Sequence, residues 1–257
     1  MPDPARKPIV FTDLDGTLLD HHTYGYEAAV PLLRKLRESG VPVVANTSKT
    51  RSEWLHLAKE LKNDHAFVVE NGSAIYLPDG ECVVFGKRRE TILECLSELK
   101  DRYNFESYAD WDVAGIAAAT GLDLESAKRS SEREFSEPLV WRGSEAKKEK
   151  FIEEIHSAGF ATLQGGRFLH VLGRTDKGKA VEWFRERFPE FLPVIALGDG
   201  PNDIAMLQAA DIGIVIATPT GRKLDFKSGN RIIHSTLEGP EGWAETMTPL
   251  LESLLKN

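Results

Sequence analysis

Cysteine is nearly absent: Cys82 and Cys95 are the only 2 among 257 residues. Two thiols can build neither a disulfide framework nor a cysteine-rich zinc site. Positive charge is in deficit as well, with 32 Lys and Arg against 40 Asp and Glu and a formal net charge of −8. Nucleic-acid binders usually show a basic face, so no nucleic-acid partner is expected. A few placed cations can still hold an anionic substrate. Long apolar runs are missing: those such as Ile212 to Ala217 fall far short of the roughly 20 residues that cross a bilayer. No membrane partner is expected. The opening Met1-Pro2-Asp3-Pro4-Ala5-Arg6-Lys7 lacks the apolar stretch of a leader, and a cytoplasmic location is expected. Repeats and low-complexity tracts are absent too. What remains is 41% hydrophobic and 28% charged, an ordinary folded chain long enough for a sizeable core.

Strand and helix signals alternate at both ends of the chain. Ile9-Val10-Phe11 reads as a strand ending at Thr12-Asp13. Tyr26 to Ser39 carries Val30, Leu33 and Leu36 on one helical stripe, with Gly40 at the position of a C-terminal cap. Val41 to Ala45 reads as the next strand. Thr50-Arg51-Ser52-Glu53 is a capping box that opens a helix with Trp54, Leu57, Ala58 and Leu61 on one face. Ala66 to Val69 follows as a strand, and the alternation resumes after Asp176. This order predicts parallel βαβ units in a doubly wound α/β sheet. The middle differs: short strands and helices, two of them N-capped by Asp112 and Asp123, fit a small α+β unit. The expected division is a core of residues 1–80 and 174–257 and an inserted unit of residues 81–173. Hinges are expected at residues 77–80 and 173–176.

Chemistry concentrates at strand ends. Asp13-Leu14-Asp15-Gly16-Thr17 directly follows the first strand, where ligands of open α/β sheets bind. One carboxylate of such a pair can attack while the other moves protons. Two like charges side by side call for a cation, and Mg²⁺ suits a phosphoryl site best. A turn in which Asp and Gly serve geometry only is the alternative. A second acidic loop, Gly198-Asp199-Gly200-Pro201-Asn202-Asp203, also follows a strand, and Asp203 is placed to cap the next helix. Thr47-Ser48-Lys49-Thr50 precedes a helix N-terminus, a place that binds phosphate oxygens. Lys177 stands at another N-terminus, where a cation is unfavourable unless it neutralises an anion; Lys179 competes for that role.

These pieces, in this order, resemble the haloacid-dehalogenase-like phosphohydrolases. The insertion between the Thr strand and the Lys resembles the Cof-like branch. Asn46-Thr47-Ser48-Lys49-Thr50, Val69-Glu70-Asn71-Gly72-Ser73, Arg133-Glu134-Phe135-Ser136-Glu137-Pro138 and Gly166-Arg167-Phe168-Leu169-His170 are similar to segments of the mannosyl-3-phosphoglycerate phosphatases within it. The departure is Gly200, where the family commonly has Ser. The resemblance implies a Rossmann-like core with an inserted α+β cap. It implies Asp13 as nucleophile, Asp15 as general acid and then base, and Thr47, Ser48 and Lys177 as phosphate ligands. Mg²⁺ would lie among Asp13, Asp15 (through its carbonyl), Asp199 and Asp203. A glycosyl-3-phosphoglycerate, the small-molecule partner so implied, would be read by Lys49, Asn71, Gly72, Arg133, Arg167, His170 and Asn202. Arg51, Glu137 and Arg142 are further candidates. The same residues suit a sugar phosphatase of broader specificity or a sugar phosphomutase. The family's role in making a compatible solute comes with the resemblance.

Overall fold

The structure, a computed structural model, describes residues 7–226 and 231–254. The opening segment read above for a leader, residues 1–6, lies outside them. β1 (Lys7–Thr12) is buried from its second residue onward, as a strand covered on both faces must be. Its side chains alternate: Val10 belongs to one apolar layer, Ile9 and Phe11 to the other. Beside it run β2 (Val43–Asn46) and β3 (Phe67–Val69) on one flank. On the other flank run β10 (Phe191–Gly198), β11 (Ile212–Ala217) and β12 (Arg231–Glu238). All of these neighbours pair in parallel. β4 (Ala74–Tyr76) and β5 (Cys82–Val84) extend the sheet to eight strands by antiparallel pairing. The chain winds away from β1 in both directions, so the crevice at a switch of strand order lies over the tips of β1 and β10.

Helices cover both faces. α1 (Val30–Glu38), α2 (Arg51–Leu61) and α9 (Gly239–Leu254) bury Leu36, Trp54 and Trp243 in one layer. α7 (Lys177–Arg187) and α8 (Ile204–Ala209) bury Phe184 and Met206 in the other. α1 starts four residues later than the apolar stripe predicts. Pro31 in its first turn is the reason, since proline has no N–H to give and the first turn is where that N–H would lack a partner anyway. Gly40 closes the helix at φ +65° as expected. Thr50 makes the expected capping box: it accepts from Glu53 N–H at 3.1 Å, and Glu53 accepts from Thr50 N–H at 2.8 Å.

The insertion has its own antiparallel sheet, in the order β6 (Phe105–Ser107), β7 (Ser136–Trp141), β9 (Phe168–Gly173), β8 (Phe160–Gly165). α3 (Arg89–Leu99) and α6 (Glu145–Ser157) cover it, burying Ile92, Leu96, Phe151 and Ile155. α4 (Val113–Thr120) and α5 (Leu124–Ser131) start at the expected caps Asp112 and Asp123.

One expected boundary moves. β5, assigned by the sequence to the insertion, is a strand of the large sheet. Leu77 N–H donates to Glu81 O at 2.9 Å and Gly80 N–H to Leu77 O at 3.0 Å, closing a hairpin that returns β5 onto β4. Residues 77–80 are therefore a hairpin turn and not a crossing. The chain leaves the large sheet after β5 and returns after β9. The two crossings touch: a Cβ on Gly173 would sit 2.4 Å from Lys87 N.

Candidate active site

Asp13 stands at the tip of β1, and its N–H donates to Leu197 O of β10 at 2.9 Å. That bond brings the first acidic loop against the second. The Asp13 carboxylate pairs with Lys177 Nζ at 2.8 Å, and the same ammonium reaches Asp203 Oδ1 at 2.6 Å. Lys177 is fully buried, held at the start of α7 by Asp176, which accepts from Gly178 and Lys179 N–H. Lys179 instead turns away and donates to Arg174 O. Asp203 does not cap α8. Its Oδ2 accepts from Asp199 N–H at 3.1 Å and Gly200 N–H at 2.9 Å, folding the acidic loop back on itself. Thr17 donates to Asp199 Oδ1 at 2.9 Å and so fixes the last carboxylate. Gly16 makes room for it: at φ +80°, a Cβ there would lie 2.9 Å from Asp199 Oδ2.

One oxygen from each of Asp13, Asp199 and Asp203 falls within 4.8 Å of the others. Burial first, then the Asp203 charge, pushes Asp13 up to about 7. Burial and Asp13 push Asp199 up to about 6. Burial also raises Asp203, although Lys177 opposes it. Burial works against the Lys177 charge as well, but Asp13 and Asp203 outweigh it and hold the ammonium protonated. Three crowded carboxylates against one ammonium leave a deficit of positive charge. An all-oxygen donor set fits a hard divalent cation.

The Asp15 side chain is not part of this cluster. Its Oδ1 pairs with Lys49 Nζ at 2.9 Å.

A cleft of about 720 Å³ opens from these carboxylates toward the insertion. Asp13, Asp15, Ser48, Lys49, Asn71, Asp199 and Asn202 line its core side, and Arg133, Arg167 and His170 its far side. Asn202 donates to Asn71 Oδ1 at 3.2 Å. Arg133 is anchored by Nε to Ser136 Oγ at 2.9 Å and by Nη2 to Ser48 O at 2.8 Å. Arg167 donates to Ala119 O. Burial, then the Arg133 charge, pushes His170 down to about 3, so its ring is neutral. Its Nδ1 is buried without a partner among the described residues.

Other expected residues lie behind or away from the cleft. Thr47 is buried within its loop, where its Oγ1 accepts from Lys49 N–H at 3.1 Å. Gly72 answers a packing demand: a Cβ there would sit 2.1 Å from Asp176 O. Arg51 stacks on Tyr76, and Arg142 pairs with Glu106 on the surface. Glu137 is buried and spoken for, accepting from Arg89 Nε at 2.6 Å and Ala109 N–H at 2.7 Å.

The structure also adds residues. Thr17 follows the acid pair closely enough that its Asp-x-Asp-Gly-Thr setting signals it. Asn46 donates to Lys177 O at 2.9 Å from a fully buried position. Nothing local in the sequence announces that bond across 131 positions.

Residues 10–221 match the haloacid dehalogenase-like hydrolase family, and the chain belongs to it. Within that class, two relatives align along nearly their whole length. A glucosyl-3-phosphoglycerate/mannosyl-3-phosphoglycerate phosphatase of Methanococcoides burtonii is 38% identical over 95% of this chain and 97% of its own. A protein of the same name from Persephonella marina is 34% identical over 96% and 98%. The fold matches the crystal structure of a haloacid dehalogenase-like hydrolase from Bacteroides thetaiotaomicron, with a TM-score of 0.69, 19% identity and coverage of 95% and 99%.

Proposed function

We propose that the chain is a cytoplasmic, Mg²⁺-dependent phosphatase that hydrolyses mannosyl- or glucosyl-3-phosphoglycerate to the glycosylglycerate and inorganic phosphate. The cleft carries this reading. It joins a carboxylate pair at one end to basic side chains, Lys49, Arg133 and Arg167 among them, around the space where a carboxylated leaving group would extend. The two relatives bear the name of that activity.

In this reading Asp13 attacks phosphorus, forming an aspartyl-phosphate as the ester P–O bond breaks. Asp15 gives its proton to the departing oxygen. It then takes one from the water that opens the intermediate. Lys177 keeps the Asp13 carboxylate oriented and offsets charge on the phosphoryl oxygens. Ser48 and the buried Thr47 loop shape the phosphate seat. Asp13, Asp199, Asp203 and the Asp15 carbonyl would hold Mg²⁺, which supplies positive charge to that seat. Lys49 and Arg133 read the glycerate carboxylate. Arg167, His170, Asn71 and Asn202 read the sugar. The inserted unit, residues 89–173, acts as the cap that selects among esters.

The test is phosphate release with Mg²⁺ from mannosyl- and glucosyl-3-phosphoglycerate, 3-phosphoglycerate and hexose phosphates. A strong preference for the glycosyl esters is expected. Equal rates on hexose phosphates would sink the substrate assignment. Isomerisation without net phosphate release would make the protein a mutase.

A further inference from the structure

Between β3 and β4 the turn Glu70-Asn71-Gly72 places three successive residues in the left-handed region, at φ +49°, +59° and +84°. For residues with side chains this persists only where the surroundings over-determine it. They do. Glu70 N–H donates to Lys49 O at 3.1 Å and Asn71 N–H to Thr47 O at 2.9 Å, binding the turn to the Thr47-Ser48-Lys49 loop.

The Glu70 carboxylate points the other way, into the insertion, and is 1% exposed. Its Oε1 accepts from Glu134 N–H at 2.8 Å. Its Oε2 accepts from Phe135 N–H at 3.1 Å and Ser136 Oγ at 2.6 Å. A buried carboxylate survives only when paired and hydrogen-bonded in this way. No step of the proposed chemistry uses it. Yet Ser136 Oγ, which donates to Glu70, also accepts from Arg133 Nε, and Arg133 Nη2 returns to Ser48 O at 2.8 Å. The Glu70 carboxylate lies 3.6 Å from Arg133 Nε. A closed ring of contacts therefore runs from the core turn through the insertion and back to the phosphate loop.

We propose that Glu70 is a positioning residue that holds Arg133, a side chain of the insertion, at a fixed place beside the phosphate loop. This rests on the reading of Arg133 as the contact to a carboxylated leaving group. Glu70 then serves only substrates that reach Arg133. A carboxylated glycosyl ester depends on it, and a small aryl phosphate does not.

The experiment measures kcat and KM with Mg²⁺ for mannosyl-3-phosphoglycerate and p-nitrophenyl phosphate. The proteins are wild type, Glu70→Gln, Ser136→Ala, Arg133→Met and the Glu70→Gln/Arg133→Met double variant. Gln offers one oxygen where the site presents three donors. Glu70→Gln is expected to lower kcat/KM for the glycosyl ester about 30-fold, chiefly through KM, and to change the aryl phosphate less than about 3-fold. Ser136→Ala removes only the linking hydroxyl and should show the same pattern at about 5-fold. The double variant should lose no more than Arg133→Met alone.

Equal losses on both esters, or losses that multiply in the double variant, overturn the proposal. Should Glu70→Gln not fold, Ser136→Ala decides on its own. A wild type that turns over only the aryl phosphate refutes the substrate assignment instead. The inhibition constant of 3-phosphoglycerate against the aryl phosphate then reads the same linkage: raised in Ser136→Ala it supports the proposal, unchanged it overturns it.

Discussion

Asp13 and Asp15 stand two positions apart and are given different surroundings. Asp13 shares a buried ammonium with Asp203, while Asp15 faces the cleft beside Lys49. In the proposed reading Asp13, set among the clustered carboxylates, is the nucleophile, and Asp15, at the open cleft, is within reach of a leaving oxygen. Replacing Asp15 with Asn is expected to lower kcat by about 10²–10⁴-fold, the usual worth of a general acid–base group. Steady-state kinetics check it, and a loss under about 3-fold contradicts it. The carboxylate cluster also predicts a pH dependence. Asp13 and Asp199 have folded values raised from 3.8 to about 7 and about 6. The folded state therefore binds more protons than the unfolded chain between about pH 4 and 7, and these groups cost the metal-free protein stability as pH rises through that window. A divalent cation competes with those protons. The Tm increase caused by Mg²⁺ should accordingly be larger at pH 7.5 than at pH 5.5. A pH-independent increase in thermal scans would show that the cluster is not the metal site.

At the scale of elements, the positions that cannot change are those where two segments nearly collide. Gly72→Ala combines φ +84° with a Cβ 2.1 Å from a backbone oxygen. It should destabilise by roughly 3 kcal/mol or more. Gly40→Ala has φ +65° and only the end of Lys7 nearby, and should cost about 1 kcal/mol. Urea unfolding of the two variants measures the difference, and equal costs would contradict the collision argument. Thr50 caps α2 and also donates to Arg129 O of the insertion at 2.8 Å. Thr50→Ala should therefore exceed the ~1 kcal/mol of an ordinary cap.

The same scale shows what the sequence could reveal. Capping boxes and periodic stripes are local, so α2, α4 and α5 were legible from their own residues. β12 was not: most of its side chains are exposed, and its pattern alternates poorly. α9 opens on Gly239-Pro240 and carries Pro249, which are breaker signals, and is held by the burial of Trp243 and Met247. The sequence puts β5 with the insertion, because a three-residue strand does not show which sheet its hairpin rejoins. Asp13, Asp199 and Lys177 were readable because each follows or starts an element at the same end of one sheet. Arg133 was readable only through family resemblance, and the Glu70 ring that holds it is a long-range arrangement that no spacing reveals.

For the whole molecule, the proposed reading puts the chemistry on the large sheet and the selection across the cleft on a separately packed unit. The insertion has its own apolar core, and its joints are the paired crossings near Gly86 and Gly173. Arg167→Met should then raise KM for a glycosyl-3-phosphoglycerate more than it lowers kcat, a split that initial-rate kinetics resolve. The most direct test of the Asp13 chemistry is mass spectrometry of protein acid-quenched during turnover of mannosyl-3-phosphoglycerate with Mg²⁺. A phosphoryl group on the peptide that contains Asp13, absent from an inactive Asp13→Asn variant, is the expected result. An unmodified peptide throughout turnover, together with an Asp13→Asn variant that still releases phosphate, would contradict it.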